Sequence, residues 1–348
     1  MTTLTVPARP ERDAGSRPVP WRRMAWVTWR QHRVALSGMV VFLGALAVWL
    51  WITGLHLHHA YATATACHPA NSLACGDLIR SFNGMDGFLA SGFVLQAVPA
   101  LIGAFVGAPV LARELETGTF RYAWTQGFGR WRWTLAKLVP LAIVVAAAAG
   151  AFSALVSWYY QPYFAAGNEY LSLSEASPLG AGLFDLRGVA LAAWTLAAFA
   201  IGVLAGMLIR RVVPAIAATL AIYTGLAVAA GLYLRQHYLT PLVISNRFPP
   251  GSAWILSRWW TKDGRPVSQS VVNQVLQGAP RQVAGKGGGV PQSVGSVQYL
   301  SQHGYAQLIS YQPAVRFWPF QWIEGGWLLV LSVLLIAATV WLVRRRAA

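Results

Sequence analysis

Charge is scarce in this chain. Asp, Glu, Lys and Arg make up 11 % of the 348 residues, against about 25 % in soluble globular proteins. Acids are the scarcer sign, with 11 Asp and Glu facing 27 Lys and Arg. Two cysteines exclude a disulfide scaffold and an iron–sulfur protein. Site signatures are missing too. There is no Walker sequence, GxGxxG, HExxH or GxSxG, and no Cys/His array at metal-ligand spacing. Lys286 among Gly285, Gly287, Gly288 and Gly289 resembles a phosphate loop only superficially, because no Ser or Thr follows the lysine. Neither a catalytic nor a metal site is expected, and no cofactor in this chain.

What is abundant is apolar sequence, at 56 % hydrophobic residues with 17 Trp. A bilayer core of about 30 Å takes about 20 apolar residues as helix. Six stretches meet that length: 34–57, 88–112, 134–158, 188–209, 212–234 and 326–343. None carries a mid-span Asp, Glu, Lys or Arg. Each must be helical, because backbone in lipid satisfies its own hydrogen bonds. The fold class is therefore an all-α polytopic membrane protein. The first run, about 24 residues long, exceeds the 7–15 of a signal peptide and reads as an uncleaved span.

Orientation follows the basic residues. With the N-terminus inside, the inner pieces and Lys137 hold 17 Lys and Arg, and the two short outer loops hold 2. The long third loop translocates largely regardless of charge. Both termini are thus expected in the cytoplasm, and the charge excess reads as a topology signal, excluding nucleic acid as the partner it would imply on a soluble protein. High Ala, Gly and Arg usage points to a bacterial cell membrane.

Residues 1–20 read as a disordered tail. Residues 21–33 place Arg22, Arg23, Arg30 and Arg33 on one side of a helix and Trp21, Met24, Ala25, Val27 and Trp29 on the other, with Trp26 out of place. That is a basic amphipathic helix on the inner membrane surface, in contact with lipid headgroups. Spans one to five fill 34–234. Residues 235–325 form an extracellular loop or small domain, and 326–348 the last span and a basic tail. In the first outer loop Cys67 and Cys75 are expected to bridge, since the outside of a cell keeps thiols oxidised. His56, His58, His59 and His68 nearby lack a carboxylate or helical spacing for a metal and read as interfacial polar residues.

Gly103-x-x-x-Gly107 and Gly202-x-x-x-Gly206 are small-residue helix-packing patterns, serving contacts within one bundle or between subunits. Gln96, Thr219, Tyr223 and Thr224 are the deepest polar residues of spans two and five. They either line a central pathway or bond neighbouring helices.

The loop after span two is the most informative segment. It reads ARELETGTFRYAWTQGFGRWRWTLAK from Ala112 to Lys137. Glu114 and Glu116 lie at a surface that otherwise favours basic residues, and a short helix ending at Gly127-Phe128-Gly129 is expected there. The run Arg113, Glu114, Glu116, Gly118, Thr119 resembles the Arg-Glu-x-Glu-x-Gly-Thr segment of type-2 ATP-binding-cassette exporter permeases. Thr125-Gln126, Arg130 and Trp133 are similar to the actinobacterial branch of that family. So is YQPAVRFWPFQWIE, from Tyr311 to Glu324, before the last span. With the six-span layout the resemblance covers nearly the whole chain.

The resemblance implies two permease subunits, here a homodimer, working with two separate ATPase subunits that carry the ATP and Mg. It implies that the loop after span two is a coupling helix docked in an ATPase cleft, with Arg113, Glu114, Glu116, Gly118, Thr119 and Arg121 at the contact and Trp26 and Trp29 on a connecting helix beside it. ATP-driven closure would then switch the cavity between the permeases. The expected cargo is amphipathic or apolar, such as a drug, peptide antibiotic or lipid. Two alternatives belong to other classes: a membrane sensor or accessory protein with an outer ligand-binding loop, and a membrane-embedded transferase, for which Glu169, Glu175 and Asp185 are the candidate acids and lack a recognisable catalytic pattern. Co-purification of an ATPase separates the first reading from both.

Overall fold

The computed structural model describes residues 21–68, 74–78, 92, 94–118, 130–170, 177–180, 182–249, 252–278 and 294–346. Thr119, Arg121, the 1–20 segment and the end of the expected coupling helix lie outside them. Among the described residues, six helices are long and apolar enough to cross a membrane. They are α1 (Trp21–Ala66), α2 (Ala97–Thr117), α3 (Arg130–Tyr159), α5 (Ala190–Ile209), α6 (Val212–His237) and α9 (Phe317–Arg346). A short α4 (Gln161–Tyr170) follows α3, and a 3-10 turn at Phe184–Leu186 leads into α5.

Helix α5 is the axis of the bundle. It is apolar on every side, and fifteen of its twenty residues are buried, as expected of a helix surrounded by others. Helices α1, α6 and α9 instead expose Val41, Val213, Leu232, Val333 and Leu334, the surface a bilayer covers. The crossing of α2 over α5 is set by four glycines. A Cβ on Gly202 would lie 2.3 Å from the Gly103 carbonyl oxygen, and one on Gly206 would lie 2.4 Å from that of Ala108. Gly103 and Gly107 likewise meet the carbonyls of Ala198 and Phe199 at 2.5 and 2.6 Å. Backbones this close leave room for no side chain, so these glycines join two helices of one chain. At the far end of α5, Arg210 takes a left-handed conformation (φ 59°) and its N–H bonds the Gly206 carbonyl at 3.0 Å. Arg210 and Arg211 alone turn the chain into α6.

Several boundaries differ from the sequence reading. Residues 21–33 are continuous with span one in a 46-residue helix, about 69 Å long at 1.5 Å per residue. It reaches well past a hydrocarbon core rather than forming a separate surface element. Span two is helical over Ala97–Thr117, with its expected start at 88 outside the described residues, so Arg113, Glu114 and Glu116 belong to its last turns. Pro109 does not end it. A π-turn at Gly103–Gly107 widens the helix just before, with Ala108 N–H bonding the Gly103 carbonyl at 3.0 Å, so Pro109 starts a new helical segment where its missing donor costs least. The last helix starts at Phe317 rather than 326. With α6 reaching His237, the outer segment is shorter than 235–325.

That segment is a small α/β domain. Strands β1 (Leu242–Ser245), β2 (Trp254–Lys262), β3 (Arg265–Val267) and β4 (Tyr305–Gln312) form an antiparallel sheet in the order β1-β4-β2-β3. Asp263 and Gly264, both at positive φ (51° and 77°), make the tight β2–β3 hairpin, as an Asp-Gly pair does. Helices α7 (Gln269–Gln277) and α8 (Val294–Gln302) cover one face, where Trp260 and Tyr305 pack on Val272, Leu276, Val297 and Leu300. The domain is tied to the bundle. Gln312 Nε2 donates to the Leu239 carbonyl at 2.6 Å and Arg316 Nη1 to that of Thr240 at 2.7 Å.

Candidate functional site

The acids of the family-like loop are held by the chain itself. Glu114 pairs with Lys137 of α3, whose side chain is 3 % exposed and lies over the Trp133 ring at 4.1 Å. Glu116 Oε2 accepts the Val212 N–H at 3.1 Å, where an acid offsets the positive end of α6. Gly118 closes α2 in the left-handed conformation at φ 70°. Glu114 thus has a buried partner on another helix. Trp26 and Trp29 are 59 % and 55 % exposed on α1, and Arg30 stacks over Trp26 at 5.0 Å.

A second constellation lies at the other end of the bundle, beside the sheet. Arg235 of α6 and Glu324 of α9 are both 0 % exposed. Arg235 Nε and Nη2 donate to the two Glu324 oxygens at 3.0 and 2.8 Å, and Nη2 also reaches Asp185 Oδ1. Glu324 accepts two further bonds, from Trp194 Nε1 at 2.8 Å and Tyr238 OH at 3.1 Å. Trp327 Nε1 donates to the Tyr238 oxygen at 2.9 Å. The cluster thus joins the start of α5, the end of α6, the start of α9 and the 3-10 turn. Arg235 is turned inward just after a π-turn at Ala230–Leu234, a device common at functional sites. Burial pushes the Asp185 carboxyl well above the usual carboxylate range; Arg235 opposes that rise and Glu324 reinforces it.

Beside the cluster, α2, α5 and α6 line an open-sided cavity of about 610 Å³, within the range of small-molecule sites. Its polar lining is Gln96, Asp185, Tyr223 and Thr224, with Trp194 in the wall; Pro99, Leu101, Leu220 and Leu232 supply apolar surface. Three of the four deep polar residues named from the sequence therefore share one cavity. Thr219 is not among its lining residues: it is fully buried and donates to the Ala215 carbonyl at 2.7 Å.

The expectation of charge-free helices fails at this point. Arg235 and Glu324 lie inside α6 and α9, and sequence reasoning missed them because each falls just outside its expected span. The available signal was the Tyr311–Glu324 motif, in which Gln312, Arg316, Gln321 and Glu324 all have partners. Gln321 accepts the Ala190 N–H at 2.8 Å and donates to the Phe184 carbonyl at 3.0 Å, fixing the start of α5.

The model of the ABC-2 membrane transporter related family matches residues 40–235. The chain belongs to that family. No curated protein and no solved structure matches it. The matched region runs from α1 through α6 and ends on Arg235 itself, while α9 with Glu324 lies beyond it. As an ABC-2 type permease the chain is a multi-pass membrane transport component, and the family implies association with ABC ATPase partners. On the sheet side, this permease carries a Cys67–Cys75 disulfide with Cα atoms 5.7 Å apart, just past the end of α1. His58 stacks on Trp158 at 4.6 Å, and its Nε2 lies 3.0 Å from the Trp158 carbonyl oxygen, joining α1 to α3.

Proposed function

We propose that the chain is the membrane-spanning permease subunit of an ATP-driven exporter. Two copies pair with two separate ATPase subunits, which bind the ATP and Mg; the permease has no catalytic site. The Lys/Arg-rich end, with both termini, faces the bacterial cytoplasm, and the sheet domain faces outward. The observation that carries this reading is that one helix, α2, bears both working parts. Its first turn lines the cavity at Ala97, Pro99 and Ala100. Its last turn holds Glu114 and Glu116, bound to α3 and α6.

An ATPase docking on the loop after Gly118 would then pull on three helices together. Glu114 and Glu116 act as positioning residues that join the loop's root to the bundle, while Thr119 and Arg121 belong to the docking surface. Trp26 and Trp29 flank it on the inner part of α1. Displacement along α2 reaches the cavity through a helix interrupted by a π-turn, where it bends at least cost. The cargo is amphipathic or apolar, matching the walls of the cavity.

The test is co-purification of the permease with its host's ATPases, followed by ATP hydrolysis in proteoliposomes. An ATPase recovered in equal amount, with hydrolysis stimulated by a transported compound, is the expected result. A permease that recruits no ATPase and responds to an outer ligand would establish the sensor reading instead.

A further inference from the structure

Among the described residues, one charged side chain, Asp185, lines the cavity between α2, α5 and α6. The cluster behind it contains two carboxyl groups, Asp185 and Glu324, and a single guanidinium, Arg235. Arg235 and Glu324 neutralise each other in a two-pronged pair, and Glu324 also accepts from the buried Trp194 and the half-buried Tyr238. Glu324 is 0 % exposed, whereas the Asp185 side chain is 17 % exposed and lines the cavity. The surplus acid is therefore the one that faces the empty space.

Around it the wall is aromatic and aliphatic. Trp194 and Tyr223 meet edge to face at 5.6 Å, and Leu220, Val228 and Leu232 line the side contributed by α6. An acid, aromatic rings and aliphatic surface converging on one cavity are the recognition elements of an organic cation: charge from the carboxylate, π faces for the cation and apolar area for its substituents. An anion would meet the surplus carboxyl, and a sugar would find too few polar partners.

We propose that this cavity binds lipophilic organic monocations, with Asp185 as the residue that selects the charge, and that each cation bound displaces one proton from Asp185. The balance is simple: the neutral carboxylic acid loses its proton to water, and the carboxylate left behind is neutralised by the ligand. The groups facing Asp185 are Arg235 and Tyr223 of α6 and Glu324 of α9; Arg235 and Glu324 stay paired in both states. Burial already holds the Asp185 proton more tightly than an ordinary carboxyl does. The permease reading bears on this only for the direction of travel; binding stands apart from it.

The experiment uses the purified full chain in nanodiscs of zwitterionic lipid, without any ATPase. Radiolabelled tetraphenylphosphonium is the probe, and tetraphenylborate is the control of the same shape and opposite charge. The cation should bind saturably and the anion should not. In weakly buffered solution one proton should be released per cation, and the affinity should fall about tenfold per pH unit on the acid side of the Asp185 titration. Asp185→Asn should lose at least tenfold in affinity. Ala227→Phe, which fills the cavity without altering charge, should lose binding as well, so the claim remains testable if the first variant folds poorly. Equal binding of both ions, wild-type affinity in Asp185→Asn, or no binding by the folded wild type would overturn the proposal. Failure to recruit an ATPase would sink the permease reading while leaving these results in place.

Discussion

Arg235 and Glu324 face each other in a two-pronged ion pair, both fully buried, across the joint between the end of α6 and the start of α9. They tie the sheet side of the bundle together, since Glu324 also takes the Trp194 and Tyr238 donors. Removing Glu324 leaves Arg235 to Asp185 and deprives Trp194 and Tyr238 of their acceptor; of the about 3–5 kcal/mol lost when a buried pair is broken, Asp185 recovers a part. Glu324→Ala should therefore lower the melting temperature in detergent by roughly 10 °C. Glu324→Gln, which keeps an acceptor for Trp194, should fall less. A melting curve unchanged by Glu324→Ala would show that the pair does not hold the joint.

Asp185 gives the opposite sign of pH dependence from an ordinary salt-bridged acid. Its folded pKa is raised above the ordinary 3.8 of an aspartate, so the native state holds its proton more tightly than the unfolded chain. The stabilisation is full at pH values below 3.8 and is lost as pH rises through the higher folded value. Asp185→Asn mimics the protonated form, so it should flatten that part of the profile and be the more stable protein on the alkaline side. Melting temperatures of both proteins across the pH scale decide this; parallel profiles would contradict it.

The α2–α5 crossing makes a sharp contrast between glycines. A Cβ at Gly202 would strike a backbone carbonyl that cannot move aside, whereas Gly150 has nothing within 4 Å. Gly202→Ala should force the helices apart and cost about 1–3 kcal/mol, as overpacking does. Gly150→Ala should be neutral or gain up to about 1 kcal/mol from helix propensity. Thermal stability of the two variants, compared in one detergent, reads out the difference.

The Cys67–Cys75 bridge should leave no thiol for a maleimide in denatured, unreduced protein. A loop this short contributes on the order of 2–3 kcal/mol, so Cys67→Ser should lower yield and leave the fold intact. Labelling of either cysteine without reductant would contradict the bridge.

The six spans were legible because length and hydropathy alone decide them. Their ends were not, and the charged cluster was lost with them. Arg235 lies one residue past the expected end of span five and Glu324 two before the expected start of span six, so a rule that trims spans at charges discards the residues that join them. The π-turn before Pro109 leaves no mark in composition. In the sheet domain, Asp263-Gly264 was a readable hairpin signal. The order β1-β4-β2-β3, by contrast, depends on long-range pairing that no local pattern encodes. The loop acids were legible as unusual, but their partners, Lys137 and the first turn of α6, come from helices whose approach only packing determines.

Glu116 provides the cleanest test of how motion enters the bundle. Its carboxylate accepts the Val212 N–H at the start of α6, and loss of a capping interaction costs about 1 kcal/mol, too little to unfold the protein. Glu114→Ala is a poor probe by comparison, because it strands Lys137 at 3 % exposure and should damage the fold. If Glu116 links the ATPase-facing loop to α6, Glu116→Ala should leave expression, ATPase recruitment and basal hydrolysis unchanged. It should instead reduce the stimulation of hydrolysis by transported substrate several-fold, because α6, which lines the cavity at Tyr223 and Thr224, no longer follows the end of α2. Glu116→Gln retains an acceptor oxygen and should recover most of that coupling. Full substrate stimulation in Glu116→Ala would mean that α6 moves with the loop by some other contact, and would remove Glu116 from the mechanism.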